Sequence, residues 1–293
     1  MSSHILPAQD HAHLPSWPRR LGLTLALLLG ASIAYLPYAF YPALPETARP
    51  FLWGAITLGL LTLALLARRS ERFHAYWVVI YAFFVASSAN LADWYLNDWL
   101  PGLFGIPTRS PAGNGIALLE STLVIGACIV VLIKLSGADM GSLLLQRGKV
   151  KWWLPIGLGG FAFFAITVIP AATGLFQGQN LTAERMLSWL PWILLFVLSN
   201  GVREELLFRG LLLPRCTPLV GAVPTIILTS IVFAFAHISV TYTPVLVIFM
   251  VITFVLGVIF ATLAYKTDSL WGAVLFHAGA DIPVVVGLFS TMT

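Results

Sequence analysis

The chain has 293 residues, of which 59% are hydrophobic and only 10% are charged, and its formal net charge is +4. A soluble domain carries about 25% charged residues, so this composition excludes an ordinary water-soluble fold. The apolar residues fall in long, repeated runs that a globular core does not need, and we expect a polytopic membrane protein. Of the two cysteines, Cys128 lies in the fourth apolar run and Cys216 in a predicted cytoplasmic turn, so they indicate neither a disulfide nor a cysteine-based zinc site.

Nine apolar runs follow one another along the chain. Each is long enough, or nearly so, to cross a hydrocarbon layer of about 30 Å at about 1.5 Å per residue. They predict an all-α fold, a polytopic transmembrane helical bundle of about 8–9 transmembrane helices. The runs are 21–41, 51–67, 75–92, 116–135, 153–176, 187–213, 221–243, 245–265 and 270–290.

A polar segment divides the chain into two halves of different character. We expect the N-terminal transmembrane helices 1–4 in residues 1–136, a cytoplasmic linker at 137–152, and the C-terminal transmembrane helices in 153–293. The first half carries few polar groups inside its runs. Asp93 and Asp98 belong to a stretch that leads into a Pro- and Gly-rich segment, and we expect both in a solvated external loop.

Lysine and arginine residues predict the orientation of the chain. They precede the first run and follow the second and fourth runs, at Arg19, Arg20, Arg68, Arg69, Arg72, Lys134, Arg147, Lys149 and Lys151. By the positive-inside rule the N-terminus is cytoplasmic. Membrane topology then explains the net positive charge, which does not indicate nucleic-acid binding. We expect an integral protein of a bacterial inner (plasma) membrane, with the lipid bilayer as a partner and no nucleic acid.

Residues 204–209, Glu-Glu-Leu-Leu-Phe-Arg, place three ionisable side chains inside an apolar run. Ionisable side chains need partners inside a bilayer. Placing them there costs free energy, so their presence makes them functional candidates. Glu205 and Arg209 are spaced i,i+4 and can pair along one helix face. Glu204 is offset by about 100° and is left free to face another helix.

Two further pairs have the same i,i+4 spacing: Phe233 with His237, and His277 with Asp281. A carboxylate held near a histidine can orient a water molecule and take its proton, which generates a nucleophile for a peptide carbonyl. A second histidine with a hydrogen-bonding neighbour can stabilise the resulting oxyanion. The same residues also suit a purely structural network of polar contacts between helices.

The three patterns Glu204-Glu205-x-x-x-Arg209, Phe233-x-x-x-His237 and His277-x-x-x-Asp281 occur in this order. Together they resemble the motifs of the CPBP intramembrane proteases (CAAX protease and bacteriocin-processing, Abi), a family that includes the type II CAAX prenyl endopeptidases. The resemblance covers roughly residues 187–290, which would form the protease core. It implies a glutamic-type intramembrane endopeptidase that cleaves a peptide tail of a membrane-associated protein.

The resemblance also implies roles for single residues. Glu204 would be the general base that activates water with His237, and His277 with residue 281 would stabilise the oxyanion. The implied catalytic set is Glu204, His237, His277 and Asp281, and the supporting set is Glu205, Arg209 and Phe233. The prenyl endopeptidases have asparagine where this chain has Asp281. This departure weakens the amide-donor role and the inference of a prenylated substrate more than the inference of proteolysis.

The sequence leaves alternatives open for both the cofactor and the function. We expect no cofactor, because the chain has no His-Glu-x-x-His helix, but zinc is the alternative and Glu204, His237 and His277 would then be its ligands. A catalytically silent Abi-like immunity or assembly factor is the second functional hypothesis. A transporter with a proton-relay carboxylate is the third, although the chain lacks the two related halves common in transporters.

Overall fold

The computed structural model describes residues 16–35 and 45–292. Within these ranges the chain forms twelve α-helices and no strand, which confirms the predicted all-α bundle. The helices are α1 Trp17–Tyr35, α2 Arg49–Arg69, α3 Trp77–Leu96, α4 Trp99–Leu103, α5 Pro111–Leu135, α6 Val150–Ile166, α7 Val168–Phe176, α8 Ala183–Glu205, α9 Leu213–Val220, α10 Ala222–Phe235, α11 Leu246–Thr267 and α12 Trp271–Ser290. A π-helical segment, Leu206–Leu212, joins α8 to α9, and 3₁₀ turns lie at Glu46–Ala48, His74–Tyr76 and Met140–Leu143.

Fewer segments of the described chain meet the length and hydropathy of a membrane span than the 8–9 helices predicted from the apolar runs. Six segments of the described chain are long and apolar enough to cross a bilayer: Glu46–Arg69, His74–Leu103, Pro111–Leu135, Ala183–Val220, Leu246–Thr267 and Trp271–Ser290. The α6–α7 pair makes a seventh if it counts as one span despite its 69° bend. The predicted run 21–41 extends beyond Tyr35 into residues outside the described ranges.

The bend between α6 and α7 falls where the chain cannot continue a regular helix. Pro170 has no backbone N–H to donate to the carbonyl of Ile166, four residues earlier. α6 ends at Ile166, and α7 begins at Val168 in a new direction. The predicted run 153–176 is therefore a broken helix.

Helix α10 is shorter than the run 221–243 that predicted it. It has 14 residues and ends at Phe235, so it covers about 21 Å at about 1.5 Å per residue. The reason is local: Nδ1 of His237 donates to the carbonyl oxygen of Phe233 at 2.8 Å, and the backbone N–H of His237 turns to Ala234 instead. The side chain takes the acceptor that the next helical turn needs, and the helix stops.

Helix α12 lies at the centre of the C-terminal half, in contact with α6, α7, α8 and α11. Two glycines permit the close approach of its neighbours. A Cβ atom at Gly279 would collide with the backbone of Phe161 on α6, and one at Gly201 on α8 would lie 2.9 Å from the carbonyl oxygen of Val274. The end of α8 is thereby held directly against α12.

In the π segment after α8, several backbone carbonyl groups accept hydrogen bonds from side chains of other helices. The hydroxyl of Tyr35 donates to the carbonyl of Leu207 at 2.7 Å. The guanidinium of Arg215 donates to the carbonyls of Gly210 and Leu211 at 3.2 and 3.0 Å. A wider i→i+5 turn is common at functional sites, and this one begins directly after Glu205.

Candidate active site

The motif residues come from three elements that meet in one cavity of about 410 Å³. Glu204 lies at the end of α8, His277 and Asp281 lie on α12, and His237 lies two residues beyond the end of α10. All four side chains line the cavity, as does Phe233. The structure thus brings together every residue of the predicted catalytic set.

Glu204 faces both histidines with the same oxygen. Its Oε2 atom lies 3.8 Å from Nε2 of His237 and 3.6 Å from Nε2 of His277. This oxygen is buried and accepts no hydrogen bond from a described protein group. Both separations exceed the 2.7–3.2 Å of a direct N–H···O hydrogen bond. Each separation is short enough for one water molecule to bridge Oε2 of Glu204 and the histidine nitrogen.

The backbone fixes the orientation of the His237 ring. A carbonyl oxygen only accepts, so the contact between Nδ1 and the Phe233 carbonyl places a proton on Nδ1. In the neutral ring, Nε2 then carries a lone pair and points towards Glu204. Two acceptors, Nε2 of His237 and Oε2 of Glu204, consequently face each other, an arrangement that suits a bridging water molecule with protons to donate.

His277 has a different environment. Its Nδ1 atom donates to Oε1 of Glu205 at 2.8 Å, and its Nε2 atom lies 3.7 Å from Oδ2 of Asp281 as well as near Glu204. The ring stacks on Phe260 with centroids 4.9 Å apart. Three carboxyl groups around one imidazole favour positive charge on the ring. A charged His277 would donate from both nitrogens.

Glu205 and Arg209 form the i,i+4 pair that the sequence predicted. Nη1 of Arg209 lies 2.8 Å from Oε1 of Glu205, and both side chains are completely buried. Nη2 of Arg209 donates to the carbonyl of Gly257 on α11 at 3.1 Å, and the guanidinium lies 4.3 Å from the ring centroid of Phe233. Since Oε1 of Glu205 also accepts from Nδ1 of His277, the ion pair is directly connected to the candidate site.

Glu204 faces residues of other elements, as its position on the helix predicted, and it also has a partner on its own helix that helical spacing did not predict. Nη2 of Arg203 donates to its Oε1 atom at 2.9 Å. Adjacent residues on a helix point about 100° apart, but the arginine side chain is long enough to fold back onto its neighbour. The i,i+4 rule considers only residues on one face and therefore missed this contact.

Two other polar residues at the cavity were also missed. Nδ2 of Asn200 donates to Oδ2 of Asp281 at 2.8 Å. Asp93 lies within α3 and lines the cavity, so its assignment to an external loop was wrong. Asp98 does lie outside a long helix, directly before α4. The signal for Asn200 was its i,i+4 spacing to Glu204, and for Asp93 its i,i+3 spacing to Asn90, another cavity residue.

Tyr242 adds a hydroxyl from the connection between α10 and α11. Burial raises the pKa of this hydroxyl, and the carboxylates of Asp281 and Glu204 raise it further. The group therefore stays protonated around neutral pH and can act only as a hydrogen-bonding group.

A zinc ion was the alternative to a cofactor-free site. Across residues 16–35 and 45–292, no group of three or more His, Cys, Asp or Glu side chains is placed to hold a metal ion. Glu204, His237 and His277, the alternative zinc ligands, contact one another through the atoms already described. Independence from metal stays a prediction.

Comparison with known families agrees with this geometry. Residues 186–283 match the family model described as type II CAAX prenyl endopeptidase Rce1-like. This segment is therefore similar to the CAAX prenyl endopeptidases, as the order of the motifs had suggested. It includes all three motifs and spans about a third of the chain. The Rce1-like match and the apolar helices together support an integral membrane protein. Searches of curated proteins and of solved structures give no significant match.

Proposed function

We propose that this protein is a glutamic-type intramembrane endopeptidase that cleaves a peptide tail of a membrane-associated protein. The observation that carries the proposal is the position of Oε2 of Glu204, within 3.6–3.8 Å of Nε2 of both His237 and His277 inside a cavity. The match of residues 186–283 to the Rce1-like family model supports the reaction class.

Glu204 and His237 activate the water molecule. A water molecule between them donates hydrogen bonds to Oε2 of Glu204 and to the lone pair on Nε2 of His237. As its oxygen attacks the peptide carbonyl, the proton passes to this pair, which acts as the general base. The preorganised, mostly buried surroundings strengthen these contacts relative to bulk water.

His277 stabilises the tetrahedral intermediate. Glu205 holds its Nδ1–H, and Asp281 and Glu204 lie next to Nε2, so a charged ring is favoured and its Nε2–H can donate to the oxyanion. Asp281 accepts from the amide of Asn200 and takes no donor role as a carboxylate. The proton held by the Glu204 and His237 pair then passes to the leaving amine, and the C–N bond breaks.

The walls of the cavity suit a substrate that is partly apolar. Aromatic side chains line it beside the polar cluster: Tyr35, Phe164, Phe176, Phe196, Phe208, Phe249 and Phe260. We propose a peptide or protein substrate that reaches the site from the membrane, and a bacterial inner (plasma) membrane location with the N-terminus in the cytoplasm. The bilayer is a partner and nucleic acid is not.

The test compares wild-type protein with Glu204→Gln in detergent micelles. The probes are two quenched fluorescent peptides with the same sequence, one carrying a prenylated cysteine and one carrying a free cysteine. Glu184→Gln is the control, because Glu184 is exposed in the first turn of the same helix. Wild type and Glu184→Gln should release product, and Glu204→Gln should lose about 10²–10⁴-fold in rate. Equal cleavage by Glu204→Gln would overturn the proposal. Binding of a peptide without cleavage by wild type would favour the silent immunity or assembly factor.

A further inference from the structure

Arg203 lies at the centre of a polar network that reaches beyond the motifs. Its Nη2 atom donates to Oδ1 of Asn200 at 2.6 Å and to Oε1 of Glu204 at 2.9 Å, and its Nη1 atom donates to Oγ of Ser121 on α5 at 3.1 Å. The side chain is 22% exposed, through the cavity that it lines. One guanidinium therefore connects three partners from two helices.

We propose that Arg203 is the positioning residue that sets the orientation of both Glu204 and Asp281 and links them to the N-terminal half of the chain. The catalytic consequence rests on the proposed function. The positioning geometry does not rest on that function, because the contacts exist whatever reaction the site performs.

The first consequence concerns which oxygen of Glu204 faces the histidines. Arg203 binds Oε1, so Oε2 is the oxygen that lies near His237 and His277. A carboxylate without this contact can rotate and present either oxygen at varying angles. Charge-assisted hydrogen bonds are about twice as strong as neutral ones, which makes the guanidinium an effective anchor.

The second consequence concerns Asp281 and acts through Asn200. Because Oδ1 of Asn200 accepts from Arg203, its Nδ2 group is the end that faces Asp281, at 2.8 Å. A flipped amide would place Oδ1 against the carboxylate of Asp281, with two acceptors in contact. Arg203 thus fixes the amide orientation and, with it, the position of Asp281 beside His277.

The third consequence is that the first half of the chain takes part in the site. Ser121 on α5 holds Arg203 directly, and Asn90 and Asp93 on α3 line the same cavity. All three residues lie outside the segment 186–283 that matches the family. The carboxyl of Asp93 is also placed to interact with both Ser121 and Arg203. A site built only from residues 186–283 would lack the side chains that α3 and α5 contribute to the cavity.

The experiment uses the full-length protein and the variants Arg203→Gln, Arg203→Lys and Ser121→Ala. Arg185→Gln is the control, because Arg185 lies near the start of the same helix with its guanidinium over Trp189. The first readout is kcat and KM, measured separately with the quenched peptides. Misplaced groups cost up to about 10²-fold, so Arg203→Gln should lower kcat by about that factor while KM changes little. Arg203→Lys should recover part of the loss, and Ser121→Ala should show a smaller fall in kcat.

The second readout needs no substrate. A hydrophobic carbodiimide reacts with protonated carboxyl groups, and tandem mass spectrometry assigns the modified residue. The guanidinium stabilises the carboxylate of Glu204, so Arg203→Gln should be labelled at Glu204 faster than wild type and Arg185→Gln. If no protein cleaves the peptides but this labelling difference appears, the proposed protease function fails and the positioning role stands.

Unchanged labelling together with unchanged kcat in Arg203→Gln would overturn the positioning role. If Arg203→Gln does not fold, Arg203→Lys and Ser121→Ala decide the question. Both retain the charge of residue 203 but alter its hydrogen bonds. Wild-type values of kcat and of Glu204 labelling in both variants would equally contradict the proposal.

Discussion

The Nδ1 atom of His277 lies 2.8 Å from Oε1 of Glu205, and the same oxygen lies 2.8 Å from Nη1 of Arg209. A single carboxylate oxygen therefore joins a completely buried ion pair to a histidine of the candidate site. The residues that stabilise the bundle and those that form the site cannot be altered separately at this point.

Glu205→Gln should lower both stability and turnover. The change leaves the buried guanidinium of Arg209 without its counter-charge, and breaking such a pair by removing one partner costs about 3–5 kcal/mol. His277 also loses the carboxylate on Nδ1 that favours its charged form. Thermal unfolding in detergent and peptide cleavage would measure the two effects.

Glu46→Gln is the matched control for this change. Glu46 pairs with Arg49 at 3.8 Å, but its side chain is 88% exposed. An exposed pair contributes about 0–1 kcal/mol, so the midpoint of unfolding should hardly move. Equal midpoints for Glu205→Gln and Glu46→Gln would contradict a structural role for the buried pair.

Phe233→Leu should loosen the packing around three polar side chains at once. The ring lies 4.3 Å from the guanidinium carbon of Arg209, and its centroid lies 5.0 Å from that of His237 and 5.5 Å from that of His277. A desolvated cation–π contact is worth about 2 kcal/mol, and leucine cannot replace it. We expect a lower unfolding midpoint and reduced turnover. Phe163→Leu, at a 59% exposed position, should change neither, and an unaffected Phe233→Leu protein would refute the packing role.

Helical spacing was sufficient to predict part of the site from the sequence. The pairing of Glu205 with Arg209 follows from i,i+4 geometry, and the structure has it at 2.8 Å. The convergence of Glu204, His237 and His277 was predicted from the order of the motifs, not from physical chemistry alone.

The partners of Arg203 and Asn200 could not be predicted in the same way. Arg203 contacts Ser121, which is 82 residues away in the chain, and Asn200 contacts Asp281, which is 81 residues away. Spacing within one helix carries no information about which distant helix lies opposite. Asp93 was misplaced because the Pro- and Gly-rich stretch after it suggested that the loop begins earlier than it does.

Activity should be independent of added metal. If Glu204 and His237 activate the water alone, prolonged chelation leaves the rate of peptide cleavage unchanged. Metal analysis of the purified protein should then find zinc well below one ion per chain. Loss of activity on chelation, with recovery on addition of zinc, would instead identify Glu204, His237 and His277 as ligands.

Gly201→Ala should displace the end of α8 from α12. The added Cβ would lie 2.9 Å from the carbonyl oxygen of Val274, in a place where the backbone cannot yield easily. Glu204 follows three residues later, so its distance to His277 should grow and turnover should fall, by up to about 10²-fold for a shift near 1 Å. The control is Gly126→Ala, within α5 and with open space around the new Cβ. Cleavage rates equal to wild type in both variants would show that the contact tolerates a methyl group.

The π segment Leu206–Leu212 has a consequence for the order in which the protein assembles. The carbonyls of Leu207, Gly210 and Leu211 accept hydrogen bonds from Tyr35 and Arg215. In lipid, a backbone group without a donor costs several kcal/mol, so an isolated helix would keep its regular i→i+4 bonds on first insertion. The wider turn becomes favourable only after α1 and α9 have docked. Arg209 lies inside that turn, and we expect its contact with Gly257 on α11 and the contact of Glu205 with His277 on α12 to form at the same late stage. We therefore expect a newly made chain to form its candidate site only when the bundle is complete, and Tyr35→Phe should delay this step relative to insertion.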